Sequence, residues 1–581
     1  MIEQTPIGTA DHPSAIRYLV HPDTSTADIQ AVLDEAPAGS RVEFAAGAFT
    51  LTDHVKVGRS DITVRGQGSG ETSFVFAPAD GIPDGSAFAV AGPWMEPIGT
   101  LAEPVSATSE TIRVEGDHGI APGDVLFLQQ ANDPAYLDAI GDTAFRLTTD
   151  APQREILVEV AAVTGSDITL KHPVGVAFDA QLAKVQKADL LRNVEIGGFS
   201  VEYALGRADP QDFSNTIPTL PHESRLNPSA IYVARVYEAK VEDIALKDVA
   251  SIGFRFYQLL EAKVSDISAD GAHNKGEGGH GYPYLLQEVY RSSFTGLSDV
   301  GMRHSLVFSS WDAEAFNDIH IASTDRDINF HGGQDHHNTV TVDSSIASVS
   351  WYPALFFNEA GTHYGPPTDM STNLVFFRYL VSDNKPDVVR AAEGGAVIST
   401  GRKSDIVHSG PGDDMLDLGY GDTDRVVFSG ERANYEITAA KDSRGEHLVV
   451  RDKTGADGTD MIWNVEELEF TDGVVSVDEV TPGGLVPTQA PPLSASLLPP
   501  SPEPAAGQAP ERASLDAAPP SSALPAPAGG RQDAAGSMAL DAAQPVLAGL
   551  TGLNWSPGQT TLATLGHPGP LALELFVPDG F

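Results

Sequence analysis

The side chains able to do chemistry gather between Asp270 and Asn358. That stretch holds His273, His280, Tyr282, Tyr284, Arg303, His304, His331, Asp335, His336 and His337. Elimination at a uronic acid needs such a set. The sugar carboxylate must be neutralised, a base must take the proton beside it, and an acid must protonate the leaving oxygen. Arg303 can pair with a carboxylate through two parallel hydrogen bonds. His304 or His280 can be the base, because an imidazole titrates near neutral pH. Tyr282 can donate to the leaving group, and His331 is expected on the same face. A uronate 5-epimerase starts with the same proton abstraction and reprotonates from the opposite face, so one residue set serves both reactions. Glycoside hydrolysis would use two carboxylates instead. Asp299, Asp312, Glu314, Asp325 and Asp327 are available, and spacing singles out none. The run from His331 through Asp335, His336 and His337 to Asn338 suits a metal, a groove lining or a polar turn.

A second chemistry lies further along. From Ser409 to Asp417 the chain follows a nonapeptide pattern of glycines, an aspartate and an inward aliphatic residue. Asp405-Ile406-Val407 holds the same phase as Asp414-Met415-Leu416, nine residues earlier. Tight glycine turns expose carbonyl oxygens, and each aspartate adds a hard anionic oxygen. Calcium takes about six to eight such ligands. Asp405, Gly410, Gly412, Asp414, Gly421 and Asp422 are the candidate ligands. The flanks degenerate: Thr400 and Lys403 stand where glycines belong, and Thr423 takes the phase of the next aspartate. The expectation is one calcium ion, or two, and not a long array.

Both sets need a regular scaffold. A polar-aliphatic pattern recurs at Asn193-Val194, Asp243-Ile244, Asp266-Ile267, Gly296-Leu297, Asp318-Ile319 and Thr339-Val340, mostly about 22 residues apart. Self-similarity at that period marks a solenoid. A second strand precedes each later one: Phe254-Arg255-Phe256, Tyr284-Leu285-Leu286, Leu306-Val307-Phe308 and Ile328-Asn329-Phe330. If Leu285, Val307 and Ile328 stack, Tyr282, His304 and Asp325 stack three positions earlier, and Ser310 and His331 meet three positions later. Successive coils lie about 4.8 Å apart, so stacked side chains touch. Ser25 or Thr26 caps a short helix over Ala27–Leu33, which closes the open end. Residues 103–180 read as a β insertion against the solenoid, and the polar loop from Gly206 to Asn227 as a groove wall.

The N-terminal stretch resembles the cap of pectate-lyase-like proteins, at Ala45-Ala46-Gly47-Ala48-Phe49 and Val64-Arg65-Gly66-Gln67-Gly68. The Tyr282, Arg303 and His304 face is similar to the catalytic strips of pectate-lyase-like polysaccharide lyases and mannuronan 5-epimerases. The epimerase Tyr-Gly-Phe-Asp-Pro-His motif is absent, and Gly279-His280-Gly281-Tyr282-Pro283-Tyr284 only echoes it. Residues 395–480 resemble hemolysin-type (RTX) calcium repeats with their following strands, including Tyr435-Glu436-Ile437 and Leu468-Glu469-Phe470. That resemblance implies calcium, a secreted extracellular protein, and type I secretion machinery acting on an uncleaved C-terminal signal.

Bulk composition agrees. The 581 residues carry 36 Lys and Arg against 80 Asp and Glu, a net charge of -44, which disfavours duplex nucleic acid and anionic membranes as partners. There is no cysteine, so disulfides and thiolate metal sites are excluded. The expected architecture is all-β. It has an N-terminal extension (1–24) and a right-handed single-stranded parallel β-helix (25–393). An RTX β-roll-like module (394–480), a disordered Pro/Ala-rich linker (481–545) and a tail acting as secretion signal (546–581) follow. The expected function is β-elimination on an acidic polysaccharide. Uronate 5-epimerisation, glycoside hydrolysis and non-catalytic glycan binding stand as alternatives.

Overall fold

Strand residues that alternate inward and outward must be buried on one face. Here two stacks of parallel strands share that burial. The computed structural model describes residues 1–481, apart from 117, 143–151, 181, 219–225, 350–351, 359–365, 383–384 and 422. The linker beyond residue 481 and the tail lie outside the described residues.

One stack is an 18-stranded sheet. Its coils pair in parallel: Val194–Tyr203 with Lys240–Val249, Lys263–Ala272, Ser293–Val300, Asp318–Ser323 and Thr339–Val342 in turn. The facing nine-stranded sheet stacks Ser229–Tyr237, Ile252–Leu260, Tyr284–Tyr290, Leu306–Phe308, Ile328–Phe330 and Leu355–Phe357. The core lies between the sheets. Inward aromatics continue from coil to coil, as where Phe308 and Phe330 stack at 4.1 Å.

The register differs from expectation by one residue on the last rung. Leu285 pairs with Val307, but Val307 pairs with Asn329 and not with Ile328. Ile328 and Phe330 are fully buried. Sliding the strand by one would turn both out of the core and put Asn329 in, which the period of two forbids. Three positions before Asn329 is Arg326, so Asp325 does not continue the Tyr282 and His304 column.

The helix Thr26–Glu35 closes one end, and Ser25 accepts a hydrogen bond from the Asp28 amide as its N-cap. The insertion is wider than the sequence suggests. Its six antiparallel strands run from Glu96–Thr100 to Ala183–Ala188, and these two flanking strands pair with each other. It packs on the outer face of the nine-stranded sheet through a core that includes Tyr237, Leu260 and Tyr290. On the opposite flank, the loop after Tyr203 reaches the solenoid where His273 meets Gly206 and Lys275 meets Asp209. No described helix is long and apolar enough to cross a membrane.

Buried asparagines hold the coil corners. Asn338 Oδ1 accepts from the Asn317 amide, and Asn373 Oδ1 accepts from the Asn338 amide. Asn338→Ala should therefore strand buried backbone groups and destabilise the protein by about 1–3 kcal/mol in a urea melt. An unchanged midpoint and slope would remove the ladder from the account of stability.

Candidate functional site

Two polar clusters lie at opposite ends of the same strands of the nine-stranded sheet, one before Tyr284–Tyr290 and Leu306–Phe308 and one toward their C-terminal ends. The first is the expected one. Tyr282 precedes Tyr284–Tyr290, and His304 precedes Leu306–Phe308. The Leu285 and Val307 pairing puts them at the same height, with rings 5.4 Å apart. Tyr352 reaches the same imidazole at 4.6 Å.

His304 is held by a carboxylate. Its Nδ1 lies 2.9 Å from both oxygens of Asp327, in a pair 3% and 1% exposed. Asn329 donates to Asp327 at 3.1 Å and fixes that carboxylate in turn. Because an ionised carboxylate only accepts, Nδ1 carries the proton. Nε2 is then the basic nitrogen, with no hydrogen-bond partner among the described residues. This orientation of an imidazole by a buried carboxylate is what a general base requires.

Arg303 donates to the Gly276 carbonyl. Burial works against its charge, but Tyr282, Tyr352 and Glu277 hold the guanidinium above its ordinary value. His280 lies 3.4 Å from Ser251 Oγ. Burial first, then the Arg303 charge, pushes its pKa down to about 4, so it is neutral at ordinary pH and a weak base. Lys275 is buried nearby, and burial with Arg326 pushes it down to about 8. The structure thus brings Tyr282, Arg303, His304 and His280 together. His331 stands apart: its Nδ1 lies 2.6 Å from Ser310 Oγ, one coil away, as the predicted Ser310 contact requires.

The second cluster was not legible as a group. Side-chain oxygens of Glu155, Glu288 and Asp312 all lie within 4.8 Å of one another. These residues are 1%, 6% and 7% exposed. Arg235, Gln258 and Glu288 occupy the same place on successive coils with φ of 55°, 52° and 53°. That left-handed column bends each strand and re-aims the residues beyond it toward the insertion. Glu155 comes from the insertion strand Arg154–Thr164, where Gln129 donates to it at 3.0 Å. Burial, then the Asp312 charge, raises Glu288 to about 8, and burial raises Asp312 to about 6. A cleft of about 90 Å³ opens beside them, lined by Gln153, Glu155, Gln334, Asp335 and His336.

The remaining candidates have structural partners. Glu314 accepts from the Glu288 amide and Asp335 from the Glu314 amide, an acidic counterpart of the asparagine ladder. Asp325 binds Arg326, and Asp299 accepts from Ser305 and Thr324. His336 packs edge-on to Phe316 and lies 3.0 Å from His337 between Nδ1 atoms. The three-carboxylate group is the one potential metal cluster formed by side chains among the described residues, so the His331 to His337 run does not assemble one.

The Gly/Asp segment winds as coils of two short strands. Val388–Ala391, Val397–Ser399, Ile406–His408 and Met415–Asp417 start nine residues apart. Asp405 accepts from the Asp387 amide at 2.8 Å, and Asp414 accepts from Ala396 at 2.7 Å and Gly410 at 3.0 Å. Asp405 Oδ2 is buried without a hydrogen-bond partner among the described residues. Gly421 has no room for a side chain: a Cβ would stand 2.1 Å from the Lys403 carbonyl. Gly410 and Gly412 press similarly on the preceding coil, at Ala391 and Gly395. Asp422 lies outside the described residues.

No family model matches the chain, and no curated protein matches it. Among solved structures it is similar to phage tailspikes. The Pseudomonas phage phi297 tailspike gp61 aligns at TM-score 0.42 and 13% identity, over 70% of this chain and 67% of that one. The tailspike gp49 of Pseudomonas phage LKA1 aligns at TM-score 0.42 and 14% identity, over 69% and 73%. The gp54 tailspike of Acinetobacter baumannii bacteriophage AP22, solved in complex with A. baumannii capsular saccharide, aligns at 0.34 and 11%, over 72% and 78%.

Burial raises the Asp299 carboxyl to about 8, far above an unfolded aspartate. The folded state therefore holds this proton more tightly, and the associated stability is full below the unfolded pKa and lost as pH rises to about 8. Asp299→Asn should remove that fall, measured as the difference between parent and variant unfolding free energies across pH 4 to 8. A pH-independent difference would contradict the assignment.

Proposed function

We propose that this protein is a secreted enzyme that cleaves a uronate-containing polysaccharide by β-elimination at the Tyr282, Arg303 and His304 cluster. The observation that carries this reading is the His304 and Asp327 pair. It supplies an oriented imidazole beside two tyrosines and an arginine. Arg303 pairs with the uronate carboxylate and makes the adjacent C5 proton more acidic. His304 Nε2 takes that proton. The electron pair forms the C4=C5 double bond as the C4–O bond breaks. Tyr282 protonates the departing oxygen, while Tyr352 supports Arg303. Asp327 holds the imidazolium formed in the step.

Hydrolysis by a carboxylate pair is the competing chemistry. Asp312 and Glu288 converge, but on Glu155 of the insertion, a third carboxylate within 4.8 Å of both. The roll at Asp405 to Gly421 is proposed to take calcium, supported by the unpartnered Asp405 oxygen and the nine-residue stride. Export by type I machinery is proposed with it, on the sequence resemblance alone.

Incubation with alginate, pectate and glycosaminoglycans should raise ultraviolet absorbance, because elimination creates an unsaturated uronate. His304→Ala and Tyr282→Phe should each lower that rate by about 10²–10⁴-fold, and Asp327→Asn by a comparable factor. A change in uronate configuration without absorbance would make the enzyme an epimerase. New reducing ends without absorbance would make it a hydrolase, and binding without turnover a glycan-binding protein. Full activity in His304→Ala would sink the assignment of the base.

A further inference from the structure

We propose that Glu155, Glu288 and Asp312 bind one divalent cation of the calcium class, and that this ion ties the inserted antiparallel sheet to the solenoid. The inference is independent of the elimination reading, since it uses none of those residues.

The geometry fits a single ion. Calcium binds oxygen at about 2.3–2.6 Å, so oxygens across one ion stand up to roughly 5 Å apart. The three carboxylates here offer oxygens all within 4.8 Å of one another. They arrive from separate parts of the fold: Glu155 from the insertion, Glu288 from the bend of one coil, and Asp312 from the next. No continuous segment would place them together without a reason to converge.

Unpartnered buried atoms point to the same place. Glu155 Oε1 is buried without a hydrogen bond among the described residues. So is Gln258 Oε1, on an amide whose Nε2 lies 2.6 Å from Glu288. The Tyr290 hydroxyl is fully buried and equally without a partner, and Glu155 and Glu288 are the charges that act on it most strongly. A buried polar atom left unpaired costs about 1–3 kcal/mol. One cation would give the carboxylate and the amide oxygen a partner, and offer the phenol oxygen one as well.

The surrounding charges leave the cluster anionic. Arg235 acts on Glu288 and Arg255 on Asp312, two cations against the three carboxylates of the cluster. Glu314 and Asp335 add two more carboxylates on the following rungs. An all-oxygen, carboxylate-rich and desolvated set favours calcium over magnesium, which keeps several waters and near-ideal octahedral geometry.

The test uses the full-length protein stripped with chelator, titrated with calcium by calorimetry and with terbium by luminescence. Tyr290, and Tyr257, a buried phenol on which Glu288 and Asp312 act, should sensitise terbium held at this cluster. Glu155→Gln should lose one bound equivalent, or weaken it by at least about tenfold, and lose the accompanying rise in melting temperature. Asp405→Asn, in the roll, should leave that equivalent and its luminescence intact. Asp312→Asn provides the same reading if Glu155→Gln fails to fold. Equal stoichiometry and affinity in parent and variants would overturn the proposal. So would a parent that binds no ion here and gains stability on Glu155→Gln in chelator, because protons would then neutralise the cluster.

Discussion

Everything in this molecule depends on the register between one coil and the next. Parallel ladders leave no freedom to slide, because a shift by one residue exchanges the inner and outer faces of a strand. The corners enforce the same rule. At each of them a side-chain oxygen from one coil accepts the backbone N–H of its neighbour, through Asn317, Asn338 and Asn373 in the middle and through Asp387, Asp405 and Asp424 further on. These groups are buried and would be costly unpaired. The backbone is thereby committed to a height for every residue, and side chains far apart in sequence acquire fixed neighbours.

The first cluster is a direct product of that commitment. Tyr282 and His304 lie on different coils, yet the Leu285 and Val307 pairing brings their rings into contact distance. Asp327, one coil further and one position beyond the rung of His304, reaches its Nδ1. A base, its orienting carboxylate and its aromatic neighbours therefore come from four coils, none of which carries a recognisable motif by itself.

The sequence was legible where period decided the outcome. Ile244 pairs with Ile267 and Ile319 with Val340, as the count expects. But Phe199 and not Val194 pairs with Ile244, and a register shift sets Leu297 against Ile321 and not Ile319. The recurring aliphatic positions therefore fall on two inward columns of the long sheet. The stack of Tyr282 on His304 followed from the same count. The last rung failed because Ile328 and Asn329 differ by one position, and only the burial of Ile328 and Phe330 decides between them. Tyr352 escaped notice because it lies outside the paired strands, in a stretch with no period. Glu155 escaped for a related reason: antiparallel strands of an insertion bear no count that ties them to a coil. Glu288 did leave a signal, a charged residue inside the apolar strand Tyr284–Tyr290, repeated as Gln258 and Arg235 on earlier coils.

That column carries a general physical lesson about acidic residues in a solenoid. A stacked carboxylate can be neutralised in three ways: by accepting backbone amides, by holding a proton, or by sharing a cation. Asp414 follows the first route with both oxygens and Asp335 with one. Where a second oxygen stays unpartnered, as in Glu155, Asp335 and Asp405, amides alone do not account for the charge. Such residues recur at the insertion interface and in the Gly/Asp roll, two regions unrelated in sequence. The excess of 80 acidic over 36 basic residues is therefore not only a solvated surface. Part of it is stacked inside the molecule, where the coil spacing of about 4.8 Å brings like charges together and makes their neutralisation a condition of the fold.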